Sequence, residues 1–228
     1  MSSRDRPPGA LARAKRAPRP NLPPAVLEEL RQTARRGEAE EAVTHMDRAV
    51  KSLAREEHVR AAKAAEEAKA AAPRSAAVRE VLGLAYYQQG RFHEALSEMQ
   101  AYRRLSGRQD QNHIAADCHR ALGQPRKAVP LVEEELRAQV GEEAHAEAVV
   151  VGASALADMG RFEQALALLR RRSTRADVGR GSDLRIWYVT GDVLERAGRP
   201  DEAAEQFRRV VRHDPGAYDA AERLARLS

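Results

Sequence analysis

Few residues of this chain combine a reactive side chain with a spacing that could support catalysis. Ser154 lies in the segment 152–156, GASAL, which lacks the second glycine and the preceding strand of a nucleophile elbow, so we expect this serine at a helix crossing. Cys118 and His119 follow His113 by five and six residues, which points the three side chains in different directions around a helix. A buried thiol with two separate histidines is therefore favoured over a metal site.

The sequence also lacks the short motifs of cofactor-dependent enzymes. It contains no phosphate-binding loop, no dinucleotide-binding glycine fingerprint and no helix motif with paired histidines. We therefore expect no catalytic residues, no cofactor and no bound metal, and we predict that the protein is not an enzyme.

A six-residue motif that begins with glycine and ends with alanine occurs four times in the sequence. The four copies are Gly90–Ala95, Gly123–Ala128, Gly160–Ala165 and Gly198–Ala203. Their glycines are 33, 37 and 38 residues apart, and each lies between two amphipathic stretches. Glycine suits the end of a first helix because it adopts the left-handed conformation without a Cβ clash. The spacing predicts stacked helix-turn-helix units, a helical solenoid.

This pattern resembles the tetratricopeptide repeat, a motif of about 34 residues. The motif residues of the last unit are Trp187, Gly191, Gly198, Ala203, Phe207 and Pro215. A weaker fifth unit lies earlier, where Ala61 stands 34 residues before Ala95 and Glu56 replaces the turn glycine. The resemblance implies an all-α fold, a right-handed α-solenoid of tetratricopeptide-like helix-turn-helix repeats. We expect five helix pairs with turns near Glu56 and the four glycines, and no β-strand.

The predicted solenoid occupies residues 24–228 and needs a cover at each end. We expect an N-terminal capping helix at 24–37, about five repeats over 42–215 and a C-terminal capping helix at 216–227. The apolar stripe of the last helix is predicted to be Tyr218, Ala221, Leu224 and Leu227, with Arg223 facing solvent. This layout is similar to that of small actinobacterial repeat proteins of unassigned function.

Two segments are unusually rich in arginine. Residues 1–23 are predicted to form a disordered basic tail, since residues 1–20 alone hold the whole formal excess of +5 and many prolines occur there. The tail is either an arm that contacts nucleic acid, ribosomal RNA or an acidic protein, or a solvated leader that reflects the codon usage of the genome. Segment 170–183 holds five arginines and is predicted to be a mobile loop, with phosphate binding as the alternative.

Composition indicates either a reducing compartment or a protein that is indifferent to redox state, and it indicates no membrane anchor. The single cysteine, Cys118, excludes a disulfide framework. No apolar run approaches the roughly 18 residues of a membrane span, and no apolar segment follows the basic N-terminal residues. We therefore predict a cytoplasmic protein that does not contact a membrane.

The resemblance implies an inner, concave surface formed mostly by the first helix of each repeat. The candidate partner-binding residues on that surface are Glu80, Tyr87, Asp110, His113, Asp117, Arg120, Asp158, Tyr188, Asp192 and Glu195. The wider set of inner positions holds seven carboxylates and three arginines, which favours a basic ligand, while the tyrosines offer amphipathic contact area. Alternatively, these charges only solvate an exposed face.

Two functions from different classes remain. The first is a non-enzymatic scaffold or adaptor that binds a protein or peptide in the groove, where the acidic lining favours a basic ligand. The alternative is a ribosome- or nucleic-acid-associated factor that uses the tail and loop 170–183. The salt dependence of binding distinguishes these two functions, because contacts with phosphate groups weaken steeply as the salt concentration rises.

Overall fold

The computed structural model describes residues 20–173 and 181–227. Residues 1–19 of the predicted tail and 174–180 of the predicted loop lie outside these residues. Within the described ranges the chain forms twelve α-helices and no β-strand. The helices are α1 (Pro24–Thr33), α2 (Ala39–Leu53), α3 (His58–Ala71), α4 (Ala76–Gln88), α5 (Phe92–Ser106), α6 (Asn112–Ala121), α7 (Pro125–Arg137), α8 (Glu142–Asp158), α9 (Phe162–Ser173), α10 (Gly181–Arg196), α11 (Pro200–His213) and α12 (Ala220–Leu227).

The predicted turns are confirmed at all five positions. Gly90, Gly123, Gly160 and Gly198 have φ values of 71°, 71°, 74° and 75°, and Glu56 adopts the same left-handed conformation with φ 59°. At every turn the amide of the following residue donates to a carbonyl five residues earlier, with N–O distances of 2.8 to 3.0 Å. This bond satisfies a helix-end carbonyl and fixes the angle at which the second helix leaves. The result is five helix pairs, α2/α3 to α10/α11.

Small residues allow the helices of each pair to cross closely. The five alanines that set the repeat register are Ala61, Ala95, Ala128, Ala165 and Ala203, and all of them are fully buried. At Gly191 a Cβ atom would lie only 2.7 Å from Cε1 of Phe207, so this crossing admits glycine alone without a shift of the ring. Because neighbouring pairs also pack on one another, the core runs along the whole stack.

The helix at the N-terminal end is shorter than expected. α1 stops at Thr33 rather than near Gly37, because Ala34 is extended and the amide of Arg35 donates to the carbonyl of Ala71 at 2.8 Å. Leu30 of α1 is fully buried against the apolar stripe of α2. The Glu29 carboxylate accepts bonds from the Ser75 hydroxyl and the Ala77 amide, which fastens α1 to the start of α4.

The helix at the C-terminal end begins later than expected, and only part of its predicted apolar stripe, Leu224 and Leu227, packs against the core. α12 starts at Ala220 rather than at residue 216, after a turn in which Tyr218 has φ 57°. Ala220 and Arg223 are buried, whereas Ala221 is exposed. The prediction that Arg223 faces solvent is therefore wrong. Its charge is accommodated by carboxylates from α10.

Candidate interaction surface

The ten predicted site residues lie mostly on the first helices of successive repeats. Glu80 and Tyr87 are on α4, Asp110 is in the loop before α6, His113, Asp117 and Arg120 are on α6, Asp158 ends α8, and Tyr188, Asp192 and Glu195 are on α10. Since residues three or four apart share one face of a helix, Asp117 with Arg120 and Asp192 with Glu195 each form a local pair. Successive helices then bring these pairs side by side.

The first half of the surface links α4, α6 and α8. The Tyr87 hydroxyl donates to Oδ2 of Asp117 at 2.5 Å. Arg120 donates from Nη1 to Asp117 and from Nε to Oδ2 of Asp158, the latter at 2.7 Å. Burial and the bond to Asp117 both raise the pKa of Tyr87. Burial opposes the charge of Arg120, yet its two carboxylate partners raise its pKa, so the guanidinium stays charged.

The second half links α8, α10 and α12. Asp158 also accepts from Nη2 of Arg196 at 3.1 Å, and Nη1 of Arg196 lies 3.5 Å from Oδ2 of Asp192. Nη1 of Arg223 lies 2.9 Å from Oδ1 of Asp192, and its Nη2 lies 2.6 Å from Oε2 of Glu195. Acids and guanidiniums therefore alternate along α6, α8, α10 and α12, and the Tyr87 hydroxyl extends the strip to α4. We call this set the inner ladder: Tyr87, Asp117, Arg120, Asp158, Arg196, Asp192, Arg223 and Glu195.

Aromatic rings flank the α12 end of the ladder. The Tyr188 hydroxyl donates to Oδ1 of Asp219 at 2.6 Å, and its ring centre lies 4.6 Å from that of Tyr218. The guanidinium of Arg223 lies 4.6 Å from the ring centre of Phe207. Burial opposes the charge of Arg223, but its hydrogen bonds with Glu195, Tyr188 and Asp192 raise its pKa. Tyr218 is about half exposed, so this end offers an aromatic surface beside paired charges.

Four predicted residues are not members of the ladder: Tyr188, which flanks it, and Glu80, Asp110 and His113. Glu80 accepts from the Gln111 amide at 2.7 Å, and burial raises its pKa. Asp110 accepts from the Tyr102 hydroxyl at 2.8 Å. His113 is buried rather than lining the surface, and its Nδ1 lies 2.8 Å from Oε1 of the fully buried Glu135 on α7.

Sequence reasoning missed Arg223 and, with it, the charge balance of the surface. Four ladder carboxylates face three ladder guanidiniums, so the acidic excess is smaller than the residue types alone indicate. The helical periodicity of apolar residues could not predict that Arg223 is buried. A charged residue can be buried there only because carboxylates of another helix pair with it.

The described part of the chain also bears on the expectations for a metal site, a reactive thiol and a membrane-spanning helix. None of its residues form a group of three or more His, Cys, Asp or Glu side chains that could hold a metal ion. Cys118 is buried, and burial raises the pKa of its thiol to about 12. Between residues 20 and 227, apart from the undescribed 174–180, no helix is both long and apolar enough to cross a membrane.

Comparison with protein families gives one match. A family model described as a tetratricopeptide repeat matches residues 53–110, 150–218 and 188–227. Together these segments cover more than half of the chain. No curated protein matches the sequence significantly.

Solved structures with a similar fold include several described as tetratricopeptide repeat proteins. YrrB, described as having an unusual peptide-binding site, is 18% identical with a TM-score of 0.57 over 87% of this chain and 96% of its own. TTC0263 of Thermus thermophilus is 17% identical with a TM-score of 0.66 over 82% and 98%. PilF of Pseudomonas aeruginosa is 18% identical with a TM-score of 0.61 over 89% and 96%. At these identities the likeness bears on the fold alone.

Proposed function

This chain belongs to the tetratricopeptide repeat family, and from that premise we propose that it is a non-enzymatic scaffold or adaptor whose concave groove binds a peptide or helix of a partner protein. The observation that carries the proposal is the inner ladder, an unbroken polar strip that crosses five helices. YrrB, which has the same fold, is described as having a peptide-binding site, and this supports a peptide ligand here.

The ladder has the chemistry to bind a peptide main chain. A carboxylate accepts several hydrogen bonds and a guanidinium donates up to five, so each group can keep its ladder partner and still bond a ligand. A peptide offers carbonyl acceptors and amide donors in alternation. An alternating strip of acids and arginines can therefore satisfy both kinds of group.

The charge balance favours a ligand with a modest basic character. With Glu80, Asp110 and the neighbouring Arg108 included, the surface holds six carboxylates and four guanidiniums. One or two Lys or Arg residues in the partner segment would offset the difference. The aromatic pair of Tyr188 and Tyr218 adds contact area for an apolar neighbour of those residues.

The test uses the full chain as bait in its native cell and then measures the affinity of the captured partner segment by calorimetry. Arg120→Gln removes the link between Asp117 and Asp158 and should weaken binding by roughly tenfold, since a hydrogen bond to a charged group contributes about 1.5–3 kcal/mol. The control is Arg208→Gln, whose guanidinium pairs with Glu205 on α11 outside the ladder. Equal affinity of the parent and Arg120→Gln would refute groove binding.

Three finer points belong to the same proposal. Residues 1–23 are proposed to be a basic tail and residues 24–228 the solenoid. A cytoplasmic location rests on the single cysteine, Cys118. No described contact favours the nucleic-acid alternative, and binding of RNA that falls steeply with salt would be the result that favours it.

A further inference from the structure

A small cavity lies between α9, α10 and α11, and none of its lining residues belongs to the inner ladder. Its volume is about 190 Å³, far above the roughly 10–15 Å³ that one water molecule needs. Leu166, Leu169, Leu194 and the Trp187 ring form its apolar wall. The cavity can therefore hold a small organic group.

The ring of Trp187 lines the cavity, and the same side chain carries a buried hydrogen-bond donor without an acceptor. Trp187 is 2% exposed, and its Nε1 has no hydrogen-bond partner. A buried N–H group that lacks an acceptor destabilises the fold, so such groups normally meet a protein atom, water or a ligand. Because the ring lines the cavity, a ligand bound there would change the surroundings of this indole.

The charged residues of the cavity wall are mostly basic. Arg170, Arg199 and Arg209 line it, against the single lining carboxylate of Glu202 among the described residues. Arg199 holds Glu202 with two bonds of 2.7 Å and also bonds Glu163 at 3.1 Å. The guanidinium carbon of Arg209 lies 4.7 Å from the centre of the Trp187 ring. The local charge therefore favours an anion over a cation.

We propose that this cavity binds a short aliphatic carboxylate. Its two oxygens would accept from the arginines, since guanidinium groups bind carboxylates in paired geometry. Its alkyl part would lie on the three leucines. The ligand is either a free aliphatic acid or the carboxyl terminus of a partner chain that ends in a small apolar residue. This site is independent of the groove proposed above.

Trp187 is the single tryptophan of the chain, so it reports on the cavity directly. The full chain is titrated at constant ionic strength with butyrate, as the free acid, and with N-acetyl-leucine, as the mimic of a chain terminus. We expect saturable changes in tryptophan fluorescence and in the position of the single indole N–H resonance, with a dissociation constant of about 1–10 mM. The probe that binds with the higher affinity identifies the source of the ligand.

Neutral butyramide controls for the charge and should bind at least about tenfold more weakly than butyrate. Saturable binding of neither probe up to roughly 50 mM, or equal binding of butyramide and butyrate, would overturn the proposal.

Three variants complete the test. Arg209→Gln should weaken butyrate binding by about tenfold, whereas Glu202→Gln, which removes the lining carboxylate, should tighten it about threefold. Arg208→Gln is the matched control, because this residue lies on the same helix, pairs with Glu205 and does not line the cavity. Since Glu202 is exposed, its replacement leaves the core intact and tests the proposal even if Arg209→Gln fails to fold. Parent affinity in both cavity variants would contradict it.

Discussion

Replacement of Arg223 by glutamine tests whether the buried charge of α12 holds the end of the solenoid together. The Arg223 side chain is 10% exposed and binds Asp192 at 2.9 Å and Glu195 at 2.6 Å. Glutamine keeps most of the aliphatic stem but removes the charge and the guanidinium that lies over Phe207. The two carboxylates then lose their cation and repel each other.

The expected loss lies between the values for exposed and buried ion pairs. Exposed pairs contribute about 0.2–1 kcal/mol, whereas removal of one partner from a buried pair costs about 3–5 kcal/mol. Asp192 and Glu195 are about one-third exposed, and water therefore screens part of the interaction. We expect the free energy of unfolding to fall by about 2 kcal/mol, which lowers the melting temperature of a chain of this size by roughly 4–8 °C.

The assay combines thermal and urea denaturation with hydrogen exchange, since the repeats of a solenoid can unfold separately. Exchange should accelerate in α12 and the adjoining part of α10 and stay unchanged in α2 to α5. The control is Arg226→Gln, an exposed position of the same helix, which should change stability by less than about 0.5 kcal/mol. Equal melting temperatures for the parent and Arg223→Gln would refute the reasoning.

Three further predictions address the repeats and the tyrosines. Ala165→Leu should overpack a fully buried crossing and lower the free energy of unfolding by about 1–3 kcal/mol, and an unchanged urea midpoint would mean that the repeat register is wrong. Glu56→Gly should raise stability by roughly 0.5 kcal/mol, because relief of the left-handed strain exceeds the entropy that glycine adds to the unfolded chain; a lower urea midpoint would contradict this. The pKa of every tyrosine is raised by burial, that of Tyr86 to about 12. The stability that these protonated phenols provide is therefore complete below pH 10 and lost as the pH rises above 10, over the range from 10 towards 12 for Tyr86. Absorbance titration near 295 nm should show little phenolate in the folded chain at pH 10.5, and half-ionised tyrosines there would contradict the prediction.

The sequence by itself determined the repeat register. Each turn needs a left-handed residue and each crossing needs a small one, and these requirements act on single positions such as Gly90 and Ala95. Glu56 shows that the alanine spacing carries the register even where the glycine is missing, because Ala61 is fully buried at the matching position. Local geometry and packing periodicity are enough to place the five helix pairs.

Only the tertiary structure decided how the charges are used. Arg120 meets Asp158 from 38 residues away, and His113 meets the buried Glu135 from 22 residues away, so neither pair lies within one helix. Helical periodicity assigns a charged residue to a face but cannot tell whether water or an opposite charge from another helix meets it there. Arg223 was therefore expected in solvent, although two carboxylates of α10 make its burial possible. The stacking of the helices turns separate acids and arginines into one continuous surface.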